Sequence, residues 1–235
     1  MRTDSNAYTI IYAAIMVILV ALGLSFTHQA LSERQTKNVQ IDKMQQILRS
    51  LKLNVSTDEA EDRYDNLITD AYLINIETGD KRESSAGKLP TDSAFMVNVA
   101  AGEGFPVYEA EADGDKKYIL PMNGKGLWGP VWGYIAINAD GKTVYSVDFG
   151  HDSETPGLGA EITHMPFRAQ FEGKELFKDD VFKSIAVVKK GRTVSDRDYV
   201  DGISGGTITS QGVDAMIYDS VDKYKNFLEN LNSSN

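Results

Sequence analysis

The chain has 235 residues, 42% of them hydrophobic and 25% charged, the composition of a folded protein with one sizeable domain and an appendage rather than of a disordered chain. A net charge of −10 argues against nucleic-acid binding, which needs a basic face to neutralise phosphates. With no cysteine there can be no disulfide, no cysteine-ligated iron–sulfur cluster and no C-x-x-C-H haem attachment, so any electron carried here needs another cofactor.

Tyr8 to Phe26 is a run of nineteen residues without a charge. At ~1.5 Å per residue it is long enough to cross a ~30 Å hydrocarbon core, which predicts a membrane anchor. The run exceeds the apolar stretch of a usual signal peptide, and no A-x-A-like cleavage site follows in FTHQALSE, so the anchor is expected to be retained. Arg2 precedes it while Arg34, Lys37 and Lys43 follow, a bias that by itself puts the C-terminal side in the cytoplasm. Between Ala30 and Leu53 the chain is polar, with Leu31, Val39, Ile41, Met44, Ile47, Leu48 and Leu51 spaced largely at threes and fours. That stripe predicts a juxtamembrane helix leading into the domain.

A weaker helical piece is expected over Asp58 to Ile68, then a strand over Ala71 to Ile76 that ends at Thr78-Gly79-Asp80. Residues 81–101 are too mixed to assign. Val107 to Ala112 and Lys117 to Met122 read as a hairpin through Asp113-Gly114-Asp115, and Val131 to Asn138 and Thr143 to Gly150 as a second one around Ala139-Asp140-Gly141-Lys142. A helix interrupted by Pro166 is expected over Glu161 to Phe171, with Ile162, Met165, Phe167 and Phe171 inward. Lys183 to Lys189 reads as a further strand. Helices and strands do not alternate regularly, so the class is α+β: a mainly antiparallel sheet flanked by helices, with one N-terminal transmembrane helix.

Two loops bracket the second hairpin. Gly124 to Pro130 carries three glycines and Trp128, and Gly150 to Glu161 carries His151, Asp152 and Glu154. Scattered ligand types on a polar loop are usually solvated, so no metal site is expected. Asp201 to Val213 then packs four glycines and four hydroxyl residues into thirteen positions. Beyond it Met216, Ile217, Val221, Tyr224, Phe227, Leu228 and Leu231 recur at helical spacing, which places a helix start near Ser210. A glycine-rich approach to a helix N-terminus suits an anion, phosphate above all. The same stretch contains G-x-S-x-G centred on Ser204, the nucleophile elbow of serine hydrolases. That reading lacks its base, since the histidines are His28, His151 and His164 and none follows Ser204.

The order of residues in Ser204 to Thr209, S-G-G-T-I-T, resembles the S-G-A-T-x-T flavinylation motif found in the C subunit of the Na⁺-translocating NADH:quinone reductase and in the G subunit of the related Rnf complex. Gly206 stands where the family usually has alanine. K-G-L-W-G-P-V-W-G-Y from Lys125 and E-T-P-G-L-G-A-E from Glu154 are similar to further segments of the reductase's C subunit, in the same order. The resemblance implies an electron-transfer subunit that carries FMN by a phosphoester to Thr209, with Leu127, Trp128, Glu154, Thr155, Leu158, Gly159, Ser204, Gly205 and Thr207 near the cofactor. The sequence shows no base beside Thr209, so attachment is expected to need another protein, and the resemblance implies a flavin transferase that takes FMN from FAD with Mg²⁺. The chain would be one of several subunits of a membrane complex passing electrons from NADH to quinone while moving Na⁺. It has a single span, which offers no ion pathway of its own, and the resemblance gives NADH oxidation and ion passage to other subunits.

The resemblance further implies a bacterial cytoplasmic membrane, a single pass and a flavin domain on the extracytoplasmic side. This opposes the small charge bias, but large domains translocate largely regardless of charge. The expected division is an N-terminal segment 1–28 with the span at about 8–26, a juxtamembrane helix 29–57, and an FMN-binding domain 58–235 with its motif-bearing core at about 105–225. The G subunit of Rnf, serving a ferredoxin:NAD oxidoreductase, and a membrane-anchored scaffold without cofactor are the alternatives.

Overall fold

The computed structural model describes residues 6–85 and 93–233. Helix α1 (Asn6–Ser50) is followed by α2 (Ala60–Leu67), β1 (Ile68–Ile74), β2 (Lys81–Ser85), a short α3 (Ser93–Met96), β3 (Pro106–Ala112), β4 (Asp115–Lys125), β5 (Pro130–Asn138) and β6 (Val144–His151). Then come α4 (Met165–Arg168), the two-residue strands β7 (Phe177–Lys178) and β8 (Val181–Phe182), β9 (Ala186–Val188), β10 (Tyr199–Asp201), α5 (Thr207–Val221) and α6 (Lys225–Ser233).

By contact the chain divides between Asp42 and Lys43. In the first unit α1 is long and apolar enough to cross a membrane, and Ile10 to Phe26 lie exposed along it. The predicted span and the predicted juxtamembrane stripe belong to one continuous helix. In the second unit the last turns of α1 bury Met44, Ile47 and Leu48, the C-terminal part of that stripe.

The main sheet has six strands in the order β2-β1-β3-β4-β5-β6, every pairing antiparallel. Both expected hairpins form, as β3–β4 and β5–β6, because alternating Val, Ile and Tyr positions bury one side chain in two on each face. Tyr118, Leu120, Met122, Ile135, Ile137, Val147 and Phe149 form the core with Val213, Met216, Ile217, Val221, Tyr224, Phe227 and Leu228 from α5 and the C-terminal helix. On the other face Trp132 Nε1 donates to Gln46 Oε1 at 3.0 Å, and Arg49 and Arg168 meet the buried Asp148 carboxylate at 3.1 and 3.0 Å.

Three expectations are corrected in detail. Helix α5 begins at Thr207, not near Ser210, because Gly206 takes the cap position and Ser210 N–H already makes an intrahelical bond to the Gly206 carbonyl at 2.8 Å. The strand expected over Lys183 to Lys189 is confined to β9, because Ser184 adopts φ +60° and Lys183 and Ser184 N–H both turn back to the Leu176 carbonyl. Its partner β10 runs parallel to it, a pairing that no pattern in the sequence suggests. The helix expected over Glu161 to Phe171 is a 3₁₀ turn, a short α4 and a second 3₁₀ turn; Ile162, Phe167 and Phe171 point inward as expected, but Met165 is exposed. Within the unassigned region the described residues add β2, α3 and a 3₁₀ turn at Val99–Ala101.

Candidate functional site

Three loops meet at the N-terminus of α5. The approach to the helix is fixed by Gly202 N–H donating to the Val188 carbonyl (2.7 Å), Ile203 N–H to Ser210 Oγ (2.9 Å) and Gly206 N–H to the Ile203 carbonyl (3.0 Å). Gly205 holds φ +78°, and a Cβ there would come within 2.6 Å of Leu158 Cδ2, so the 202–206 loop and the 152–160 loop touch through a missing side chain. Along the first turn Thr207 and Ile208 face out, while Thr209 and Ser210 are buried. One turn on, Gly212 presses against the backbone of Lys125 at the end of β4, where any side chain would collide with the Lys125 carbonyl. That contact sets the first turn of α5 against the Gly126–Gly129 turn.

At the meeting point Thr209 Oγ1 donates to Glu154 Oε2 at 2.5 Å. Thr209 is 1% and Glu154 4% exposed. The other carboxylate oxygen accepts Trp128 N–H at 2.9 Å, and Leu127 N–H also bonds the carboxylate, so the turn at Gly126–Gly129 is tied to Glu154 through its backbone. Gly126 and Gly159 leave the room the carboxylate occupies: a methyl group on either would run into Glu154, and one on Gly159 would also strike Thr209 Oγ1. Burial by itself raises the pKa of Glu154, but the hydrogen bonds from Thr209, Trp128 and Leu127 outweigh it and hold the carboxyl below its ordinary value. Glu154 is therefore an ionised carboxylate at neutral pH. A base does stand beside Thr209; it lies 55 positions upstream, where no local pattern could reveal it.

Around this pair the surface is apolar. Leu127 is 45%, Trp128 66% and Leu158 42% exposed, each carried on a loop whose backbone is pinned, and Ile208 is exposed beside Thr209 in sequence. Trp128, which the resemblance places near the cofactor, lies outside the core. Thr155 contributes its carbonyl, which accepts Leu158 and Ala160 N–H, while its side chain faces solvent. Ser204, Gly205 and Thr207 lie on the other side of the first turn, lining a cavity of about 490 Å³ together with Lys189, Lys190 and Gln211. In the sequence Lys190-Gly191 marks only a turn; the two lysines reach the cavity because β9 delivers them beside β10.

Ser204 and His164 do share a second depression of about 520 Å³, and His164 Nδ1 sits 2.7 Å from Glu161 Oε2. Among the described residues no hydrogen bond joins Ser204 to His164, so the pair is not assembled as nucleophile and base. Nor do three His, Asp or Glu side chains come together among the described residues as a metal would need.

The residues here have the chemistry that a flavin mononucleotide would need. They offer a hydroxyl for the phosphoester, glycines that let a ligand approach the backbone, uncapped N–H groups and two lysines for phosphate or ribityl oxygens, and exposed aliphatic and indole surface for a flat ring.

Comparison with known proteins bears on the same region. Residues 126–222 match the family model described as FMN-binding domain. The chain is 30% identical over 228 residues to the C subunit of the Na(+)-translocating NADH-quinone reductase of Vibrio alginolyticus, covering 90% of this chain and 89% of that protein. The protein of the same name from Yersinia pestis is 28% identical over 232 residues. Among solved structures, that of the C subunit of the Na(+)-translocating NADH-quinone reductase from Parabacteroides distasonis superposes with a TM-score of 0.78 at 48% identity, covering 84% of this chain and 96% of that one. Shewanella oneidensis NqrC superposes with a TM-score of 0.66 at 26% identity, covering 83% and 99%.

Proposed function

Because the chain belongs to the NqrC family, the C subunits of the Na⁺-translocating NADH-quinone reductase, we propose that it is a flavin-carrying electron relay of such a complex, with FMN esterified through its phosphate to Thr209. The observation that carries the reading is the Thr209–Glu154 pair, set where the three motif-bearing loops converge and ringed by exposed apolar side chains. Bound there, FMN would supply the redox chemistry that the cysteine-free chain lacks. The chain's own residues do the rest: Leu127, Trp128 and Leu158 offer a dry face to the ring, and Ser204, Gly205 and Thr207 with the N–H groups of α5 offer donors to the ribityl and phosphate oxygens. Gly159 is expected to lie under the ligand because it sits directly against Thr209 Oγ1.

The apolar part of α1 would anchor the chain by a single pass in a bacterial cytoplasmic membrane. Residues 29–57 would lead from it to a flavin domain, 58–235, on the extracytoplasmic side. NADH, quinone and Na⁺ would be handled by the other subunits, and a flavin transferase using FAD and Mg²⁺ would load Thr209.

The test is to express the chain with a flavin transferase, denature it in acid, and compare intact mass and ultraviolet-excited fluorescence with a Thr209→Val variant. A mass gain equal to FMN less one water, absent from the variant, is the expected result. A chain left unmodified while the transferase loads a known substrate in parallel would sink the reading and favour a cofactor-free scaffold.

A further inference from the structure

We propose that Glu154 is the general base of its own chain's flavinylation, taking the proton of Thr209 Oγ1 as that oxygen bonds to the FMN phosphorus. The inference rests on Thr209 being the attachment site. It begins from geometry: the hydroxyl proton already lies on a 2.5 Å hydrogen bond to Glu154 Oε2, and both residues are buried. A base carried by the transferase would have to displace this carboxylate to reach the same proton. The carboxylate cannot swing away cheaply, since Trp128 and Leu127 N–H hold its other side and Gly126 and Gly159 close around it.

The bonds and charges balance without a further reactant. With a flavin adenine dinucleotide as donor, the Thr209 Oγ1–P bond forms at the FMN phosphorus, the bond from that phosphorus to the bridging pyrophosphate oxygen breaks, and adenylate leaves with that oxygen and the electron pair. The Oγ1 proton passes to Glu154 Oε2 and from there to solvent. A carboxylate weakly basic in the resting state suffices, because Oγ1 turns strongly acidic as it bonds to phosphorus; an aspartate plays the same part for substrate hydroxyls in protein kinases. The hydrogen bonds from Thr209, Trp128 and Leu127 keep Glu154 charged. Of the ionisable groups around it, His151 on its own loop accepts Glu154 N–H at Nδ1 (3.3 Å); the 3₁₀ turn brings Glu161, which is occupied by Gly157 N–H and His164; the first turn of α5 and the Gly126–Gly129 turn bring no acid.

The experiment uses the full-length chain in detergent, a purified flavin transferase, FAD and Mg²⁺, and follows intact mass with time across a pH series for the wild type, Glu154→Gln and Glu154→Asp, with the modified residue mapped by peptide mass. Removing a general base is expected to slow attachment about 10²–10⁴-fold in Glu154→Gln, with the ratio of variant to wild-type rate climbing with pH as hydroxide substitutes, while Glu154→Asp keeps the wild-type profile at reduced rate. Attachment to Thr209 at the wild-type rate in Glu154→Gln overturns the proposal and leaves the attachment reading standing. A slowed Glu154→Gln whose ratio does not change with pH also overturns it, since a merely structural role would give that pattern. If thermal melting shows Glu154→Gln unfolded, Glu154→Asp decides: an unaltered rate or a hydroxide-dependent profile counts against the base. A wild-type chain that gains no mass, or gains it away from Thr209, brings down both readings.

Discussion

Gly159 shows how the site depends on what a residue lacks. Its missing Cβ is the space in which Thr209 Oγ1 and Glu154 Oε2 meet, and its backbone does not require positive φ. Gly159→Ala therefore leaves the chain's local conformation available but drives a methyl group into a buried, hydrogen-bonded pair. Overpacking of this kind costs roughly 1–3 kcal/mol, or a drop of about 2–10 °C in Tm for a domain of this size. Differential scanning calorimetry would measure it. An unchanged Tm would mean that the 155–159 segment yields easily and that the pair is looser than its geometry indicates. By contrast Ser204, the centre of the nucleophile-elbow pattern, is exposed and without a base, so the pattern reflects only the glycine turn that α5 needs.

At the level of elements, the last turns of α1 are fastened to the sheet by a charge cluster as well as by apolar burial. Asp148 on β6 is 2% exposed; Arg49 Nε of α1 donates to both its oxygens, at 3.1 and 3.3 Å, and Arg168 of α4 pairs with Oδ1 at 3.0 Å. Arg168 Nε also donates to the Val147 carbonyl at 2.9 Å, so the guanidinium bridges α4 and β6. Replacing Asp148 by alanine leaves two partly buried cations without their anion. Breaking a buried pair on one side is strongly destabilising, and with both arginines partly open to water the expected loss is about 3 kcal/mol, read as a fall in the urea midpoint at constant slope. A loss below about 1 kcal/mol would assign the fastening of α1 to Ile47, Leu48 and Leu51 alone. The element scale also explains why the site assembles: α5 closes on β4 only because Gly124 and Gly212 permit backbone approach to Met216 and Lys125.

For the molecule as a whole, two buried carboxylates with lowered pKa contribute to the response to acid. Glu109 is 6% exposed; burial raises its pKa, but hydrogen bonds from Lys116 and Tyr72 and the charge of Lys81 bring it below the ordinary value, as happens to Glu154 by a different set of donors. A lowered folded-state pKa means that the unfolded chain binds protons first as pH falls. The stability these groups contribute is complete above the unfolded carboxylate value and is lost on acidification from about pH 5 downward. Melting temperature should be level through neutral pH and fall in that window. Glu109→Gln is expected to lower the neutral Tm and flatten the acid limb; an acid limb unchanged in that variant would remove Glu109 from the account.

Much of this protein was legible in one dimension. The charge-free run of nineteen residues, the two hairpins and the glycine-hydroxyl stretch are local patterns, each produced by a periodicity or a turn preference that acts over a few neighbours. They determined the α+β class, the apolar helix and the position of Thr209 at a helix start. Elements whose conformation depends on distant partners were not readable: the parallel β9–β10 pair, the early start of α5 at Thr207, and the outward turn of Met165. The same holds for the chemistry. Thr209 carries a motif, whereas the carboxylate that receives its proton, the backbone donors that hold that carboxylate, and the lysines across the first turn of α5 come from three separate loops. Hydrogen bonds act over about 3 Å in space regardless of distance along the chain, so only the packing of α5 against the end of β4 could bring a base to the threonine.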